Sequence, residues 1–446
     1  MTTSEEFIPI GGKVSALKSE DWWSVWIGVL ILILAATGLV SHAPKIGTWT
    51  TNPLDAYTTK DGGNIFVSLL FLWGGLSLVF MSCVRVLGGR IWTFLLGFTV
   101  IMLLAEASFL LEGQVAIKAK DLPYALWALL FGLLISNTVG VPGWLLEGVK
   151  SELYIKTGLV LLGAEILFGN LVKLGPPGLF VGWTVVPICV VFMYWFGVKV
   201  LGMSNRPFVM VIAASTSVCG VSAAIAAAAA SKATKEDLTL GVGMTMIFTV
   251  LMMIVMPGIV QTTGMDLRVG AAWLGGTIDA TGAVVAAAAF LGDEARDIAA
   301  VVKMIQNILI GVIAFAIALF WVTSVERDSS GHGPSLLEVW VRLPKFILGF
   351  VAASLVFSFV LVPIFGSPEA VEKQIIKPMT ANVRGWLFCM AFVAIGLESN
   401  FKALAGQMIG GKPIYLYLIG QTFNLALSLL AAWLAFGGIL FERVSP

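Results

Sequence analysis

Val211–Ala233 reads VIAASTSVCGVSAAIAAAAASKA, and the fold turns on how it is interpreted. It is long enough to cross a bilayer as one helix, which needs about 20 residues. Yet its middle, Ser215 to Ser222, crowds together hydroxyls, a thiol and a glycine for which a lipid-facing helix has no use. Gly220 can take backbone angles that interrupt the spiral, and Ala223 to Ala230 then restart it from an amino end with free N–H groups and partial positive charge. Such an end at mid-depth is a ready anion site, as in transporters with discontinuous helices. A plainer reading stands beside it, because small residues also let membrane helices pack closely. A second stretch, Gly275–Ala289 (GGTIDATGAVVAAAA), repeats the build and adds a carboxylate, Asp279. Two such segments favour a site over two accidents of packing.

The surroundings are those of a polytopic membrane protein. Of 446 residues, 58% are hydrophobic and 12% charged, against roughly 25% charged in a soluble domain; mean hydropathy is +0.95. A net charge of +1 offers no basic face for nucleic acid. His42 and His332 fall in loops, which argues against a histidine-ligated metal or histidine base within the membrane. Cys83, Cys189, Cys219 and Cys389 sit in apolar spans without pair spacing, so neither a disulfide framework nor a zinc site is expected, with the role of Cys219 left open. No cofactor motif appears. The polar, mixed-charge start lacks the features of a cleaved signal peptide.

Apolar stretches give roughly thirteen spans, near 23–40, 65–87, 91–111, 122–138, 155–172, 177–202, 207–231, 237–260, 268–291, 297–322, 343–365, 383–403 and 412–440. Lys and Arg divide almost evenly between the two sides. The pairs Lys13/Lys18 and Arg85/Arg90, bordering short connections, place the N-terminus in the cytoplasm. A faint repeat links Gly132, Ile135, Thr138 and Val141 with Gly275, Ile278, Thr281 and Val284. It divides the chain into an N-terminal three-helix unit (1–121), a first five-helix repeat (122–262) and a second (263–446). An odd number of spans per repeat inverts the second copy. The interrupted seventh span then corresponds to the twelfth, whose own interruption is expected at Gly396-Leu-Glu398-Ser-Asn400. The first three spans offer contacts for a homodimer.

Ionisable groups inside spans each need a reason. Asp279 is a fair acceptor for a coupling proton or cation such as sodium, or else a structural carboxylate paired with Lys303. Lys303 and Gln306, three apart on one helical face with Asn307 adjacent, could offer an anion a positive charge and amide donors. Glu165 and Glu398 share a Gly-x-Glu pattern late in a span, read either as coupling groups or as caps. Glu106 reads as structural, and span-end tryptophans such as Trp22, Trp23, Trp92, Trp340 and Trp386 as interfacial anchors.

Ser217-x-Cys219-Gly220-x-Ser222-Ala223, Gly275-Gly-Thr-Ile278 with Val284-Val-Ala-Ala after it, Lys303 and the late Gly396-Leu-Glu398 together resemble the YeiH-type family of bacterial inner-membrane proteins, labelled as sulfate exporters. The resemblance covers about residues 122 to 440. It implies an inverted-repeat fold similar to sodium/proton antiporters and bile-acid-type symporters, and a small anion, sulfate, sulfite or an organosulfonate, as substrate. The chain departs from that pattern in having Ala280 beside Asp279 where the family commonly has histidine, and Gln306 where it often has arginine. Losing the guanidinium weakens the case for a doubly charged anion.

The sequence thus leads to an all-α transmembrane bundle acting as a secondary transporter that exports a small anion. Ser217, Cys219, Gly220, Ser222, Thr277, Thr281, Lys303, Gln306, Asn307 and Asn400 would meet the substrate. Asp279, Glu398 and Glu165 would serve the coupling ion. A cation/proton antiporter and a gated channel are the alternatives. An enzyme is not expected, since no nucleophile with a nearby base, metal spacing or cofactor motif is present.

Overall fold

The computed structural model describes residues 17, 19–58, 63–118, 123–166, 168–325, 344–400 and 411–442. Lys13, Lys18, His332, Trp340 and the 401–403 end of the expected twelfth span lie outside them. In chain order the helices are α1 (Glu20–Ala36), α2 (Phe66–Val86), α3 (Ile91–Gly113), α4 (Tyr124–Thr138), α5 (Ser151–Glu165), α6 (Phe168–Trp195), α7 (Arg206–Ser217), α8 (Val221–Ser231), α9 (Lys235–Thr262), α10 (Leu267–Thr277), α11 (Thr281–Ala289), α12 (Asp293–Phe320), α13 (Lys345–Val356), α14 (Ala381–Glu398) and α15 (Lys412–Phe436), joined by shorter helical turns. No strand forms among the described residues beyond isolated bridges such as Trp49 with Gln114.

Eight helices among the described residues are long and apolar enough to cross a membrane. Several of the other apolar stretches form something shorter. The 207–231 stretch is the pair α7/α8, and 268–291 is the pair α10/α11, each split by a few non-helical residues. The 122–138 stretch is α4, 15 residues long.

Two compact units form. One contains the described residues within Val14–Leu171 and Lys345–Asn400. Here α1 to α3 share a unit with α4, α5, α13 and α14. In this unit α14 packs on α4 and α5, and α13 lies against α5 and α1. The α4–α14 contact is backbone on backbone: a Cβ on Gly132 would stand 2.3 Å from Val393 O, and one on Gly396 would stand 2.6 Å from Leu129 O. Only glycines allow that approach.

The other unit holds the described residues within Val172–Pro344 and Phe401–Pro446. Both interrupted helices belong to it. Within the unit α10 packs on α12 and α15, α8 on α7 and α12, and α9 on α7 and α11. Side chains cap the ends of the half-helices remote from the interruptions. Asn205 accepts from Phe208 N at the start of α7, and Asp266 from Arg268 N at the start of α10. A Thr234/Asp237 capping box starts α9.

Candidate functional site

The interruption expected at Gly220 is present. The α7 helix ends at Ser217 and α8 begins at Val221, with Gly220 at φ +53° and ψ −107°, angles that a side chain resists. The 275–289 stretch, read from its composition as a segment of the same build, also breaks, at Ile278–Ala280 between α10 and α11. At the Gly396–Asn400 stretch α14 ends at Glu398 and Ser399–Asn400 are non-helical; the residues beyond, 401–410, lie outside the described ones. The Gly396-Leu-Glu398 pattern also serves packing. Gly396 meets α4, while Ser136 Oγ donates to the carbonyls of Gly396 (3.0 Å) and Ser399 (3.1 Å) to close the end of α14.

The two interruptions touch. A Cβ on Gly220 would lie 3.6 Å from Asp279 O, 3.8 Å from Asp279 Cβ and 3.3 Å from Thr245 Cγ2. Around this crossing the chain ends are treated unequally. At the carboxyl ends of α7 and α10, Lys303 donates to Val218 O, and Gln306 Nε2 donates to Ser217 O and Gly276 O, both at 3.1 Å. Lys303 also donates to Gln306 Oε1 at 2.7 Å. One ammonium and one amide therefore serve both carboxyl ends, where the helix dipoles are negative. At the amino ends of α8 and α11 no side chain caps the free N–H groups, and Asp279 supplies the nearby negative charge.

Asp279, only 1% exposed, accepts from Tyr417 Oη at 2.8 Å through Oδ2, while its Oδ1 is buried without a partner. No ion pair joins Asp279 to Lys303 among the described residues, so a simple salt bridge does not account for either group. Asn307 Nδ2 donates to Thr281 Oγ1 at 2.9 Å, and Thr277 shares a hydrogen bond with Ser428. Ser217, Cys219, Gly220, Thr277, Asp279, Thr281, Lys303, Gln306 and Asn307 are thus gathered in one unit. Ser222, in the first turn of α8, is exposed.

The remaining candidates belong to the other unit. Glu165 receives a fork from Arg384 at 2.5 and 2.9 Å. Glu398 accepts from Ser151 Oγ at 2.9 and 2.8 Å, and Asn400 donates to Ser136 O at 2.6 Å. Asp279 is far from isolated chemically, however, because sequence reasoning missed the helix beside it. Tyr417, Gln421, Asn424 and Ser428 recur at helical spacing along one face of α15. Asn424 donates to Thr216 O at 3.1 Å, and Thr245 on α9 bonds Ser215 Oγ at 3.0 Å. Polar residues at intervals of four, three and four in an otherwise apolar last span were the signal available.

The family model described as "Conserved hypothetical protein 698" matches residues 96–417. A "UPF0324 membrane protein" of Rhodopirellula baltica is 50% identical over 92% of this chain and 75% of its own length. A protein with the same name from Nitratidesulfovibrio vulgaris is 46% identical over 86% of this chain and 66% of its own length. The chain therefore spans about two thirds to three quarters of the length of these relatives. No solved structure matches it.

Proposed function

We propose that this chain, which belongs to the family described as conserved hypothetical protein 698, with UPF0324 membrane proteins among its relatives, is a secondary transporter working by alternating access. The observation that carries the reading is the crossing of two interrupted helices inside one unit, Gly220 against Asp279, with amino ends that no side chain caps. Free amides at helix amino ends suit a small anion of the sulfate, sulfite or organosulfonate type. Asp279, one oxygen of which lacks a partner, takes the coupling ion. Lys303 and Gln306 hold the carboxyl ends in place and act on the solute through that scaffold. Roughly thirteen spans in inverted five-helix repeats, in a bacterial inner membrane with the N-terminus inside, belong to the same reading.

The unpartnered Asp279 oxygen also favours a second reading, a cation/proton antiporter. Reconstituted protein distinguishes the two. Gradient-driven uptake of labelled sulfate or sulfite into proteoliposomes is expected, and Asp279→Asn should abolish it while leaving expression intact. Unchanged anion flux in that variant would remove Asp279 from coupling. Cation exchange without anion movement would select the antiporter.

A further inference from the structure

We infer that the crossing holds a dehydrated monovalent cation of sodium's kind, bound by Asp279 Oδ1 and Gln421 Oε1, with Asn307 Oδ1 as a third oxygen. The assignment of this ion as the coupling ion rests on the transporter reading; its binding does not.

In this unit the buried side-chain nitrogens and oxygens without a hydrogen-bond partner, among the described residues, are Asp279 Oδ1, Asn307 Oδ1 and Gln421 Oε1. All are acceptors, on residues that are 1%, 2% and 5% exposed. Buried acceptors without donors are costly, and native structures rarely leave them so. Their neighbours place them around the 278–280 interruption: Asp279 lies in it, Asn307 bonds Thr281 just past it, and Gln421 is one helical turn from Tyr417, which bonds Asp279. Gln421 stands on the face of α15 between Tyr417, whose hydroxyl reaches Asp279 Oδ2 at 2.8 Å, and Ser428, which bonds Thr277. Its amide nitrogen is held at Met252 Sδ, 2.8 Å away, and its oxygen has no donor. Asn307 is fixed through its nitrogen to Thr281, two residues past Asp279.

A proton on Asp279 would serve one of these oxygens and leave the amide oxygens bare. A cation serves them together. Carboxylate and amide oxygens are hard ligands that suit alkali and alkaline-earth ions over transition metals. A single carboxylate balances one positive charge, and a divalent ion would leave net charge buried. Lys303 is a second buried positive charge nearby, but its ammonium is engaged by Val218 O and Gln306 Oε1 and makes no hydrogen bond to Asp279 Oδ1, which it leaves open; its repulsion of the ion weakens binding. The positive amino ends of α8 and α11 oppose the ion, so binding is weak and reversible.

The test is thermal unfolding of the purified full chain in detergent, with sodium chloride replacing choline chloride at fixed pH and ionic strength. A ligand that binds only the folded state raises the melting temperature saturably, and that rise is expected with sodium. Asp279→Asn and Gln421→Leu should each raise the half-saturating concentration on the order of tenfold or more. Equal melting temperatures in sodium and choline overturn the inference from the wild-type protein alone, whether or not the variants fold. So does an unaltered sodium response in Gln421→Leu. Sodium binding without solute flux would instead overturn the transporter reading, and flux without a sodium response would overturn only this inference.

Discussion

Gly220 and Gly74 show how differently one residue type can act in the same chain. At φ +53° and ψ −107°, Gly220 occupies backbone space essentially closed to L side chains, and a Cβ there would stand 3.3 Å from Thr245 Cγ2. Gly74 lies within α2, and a Cβ on it would meet nothing within 4 Å. Replacing Gly220 by alanine forces either strained angles or a shift of the crossing against Asp279, at a cost of about 1–3 kcal/mol. Gly74→Ala places a better helix former where room exists and should gain about 0.5–1 kcal/mol. Thermal unfolding of the two variants in one detergent should move in opposite directions; a Gly220→Ala protein as stable as wild type would mean that the break does not depend on glycine.

Helices α5 and α14 run antiparallel and are clamped at both ends, Glu165 by Arg384 and Glu398 by Ser151. The Arg384 side chain is 8% exposed, Glu165 12%, and the guanidinium lies 5.4 Å above the Phe388 ring. Removing one partner strands the other's charge, costing about 3–5 kcal/mol, whereas replacing both by apolar residues restores much of the loss. Glu165→Leu and Arg384→Met should therefore each destabilise strongly, and the double variant should lose far less than their sum in a denaturant titration. Strictly additive losses would show that the two groups act independently. This clamp also explains why part of the site was illegible. A glycine followed by polar residues marks a broken helix at Gly220 and a packed helix end at Gly396, because both need a small residue and both need polar groups for freed carbonyls. What marks the broken helices is the alanine-rich half-helix that follows both Gly220 and Asp279. The α15 face escaped notice for a different reason. Its tyrosine, amides and serine are each ordinary in a membrane helix, and only their contacts with α7, α9 and the 278–280 interruption give them meaning.

At the scale of the whole molecule, composition alone was enough for a helical membrane protein, and the apolar stretches located the helices well. The division into units was not legible, because α15 joins α7 and α10 across more than a hundred residues of chain and no local pattern reports such a pairing. Orientation in the membrane rests on few charges, and Arg85 and Arg90 dominate because they border a short turn between α2 and α3, where positive residues are retained on the cytoplasmic side. With that turn inside, as the charges predict, the connection between α1 and α2 is expected outside, since α2 would cross once between them. Cys83, Cys189, Cys219 and Cys389 are all buried, so the native chain gives little background to a thiol reagent. Leu54, 62% exposed in the α1–α2 connection, and Leu87, 38% exposed just after α2, are suited to carry reporters. Leu54→Cys should react with a membrane-impermeant maleimide in intact cells, and Leu87→Cys only after the membrane is opened. The reverse pattern would invert the topology, and with it the side from which each half-helix of the crossing is reached.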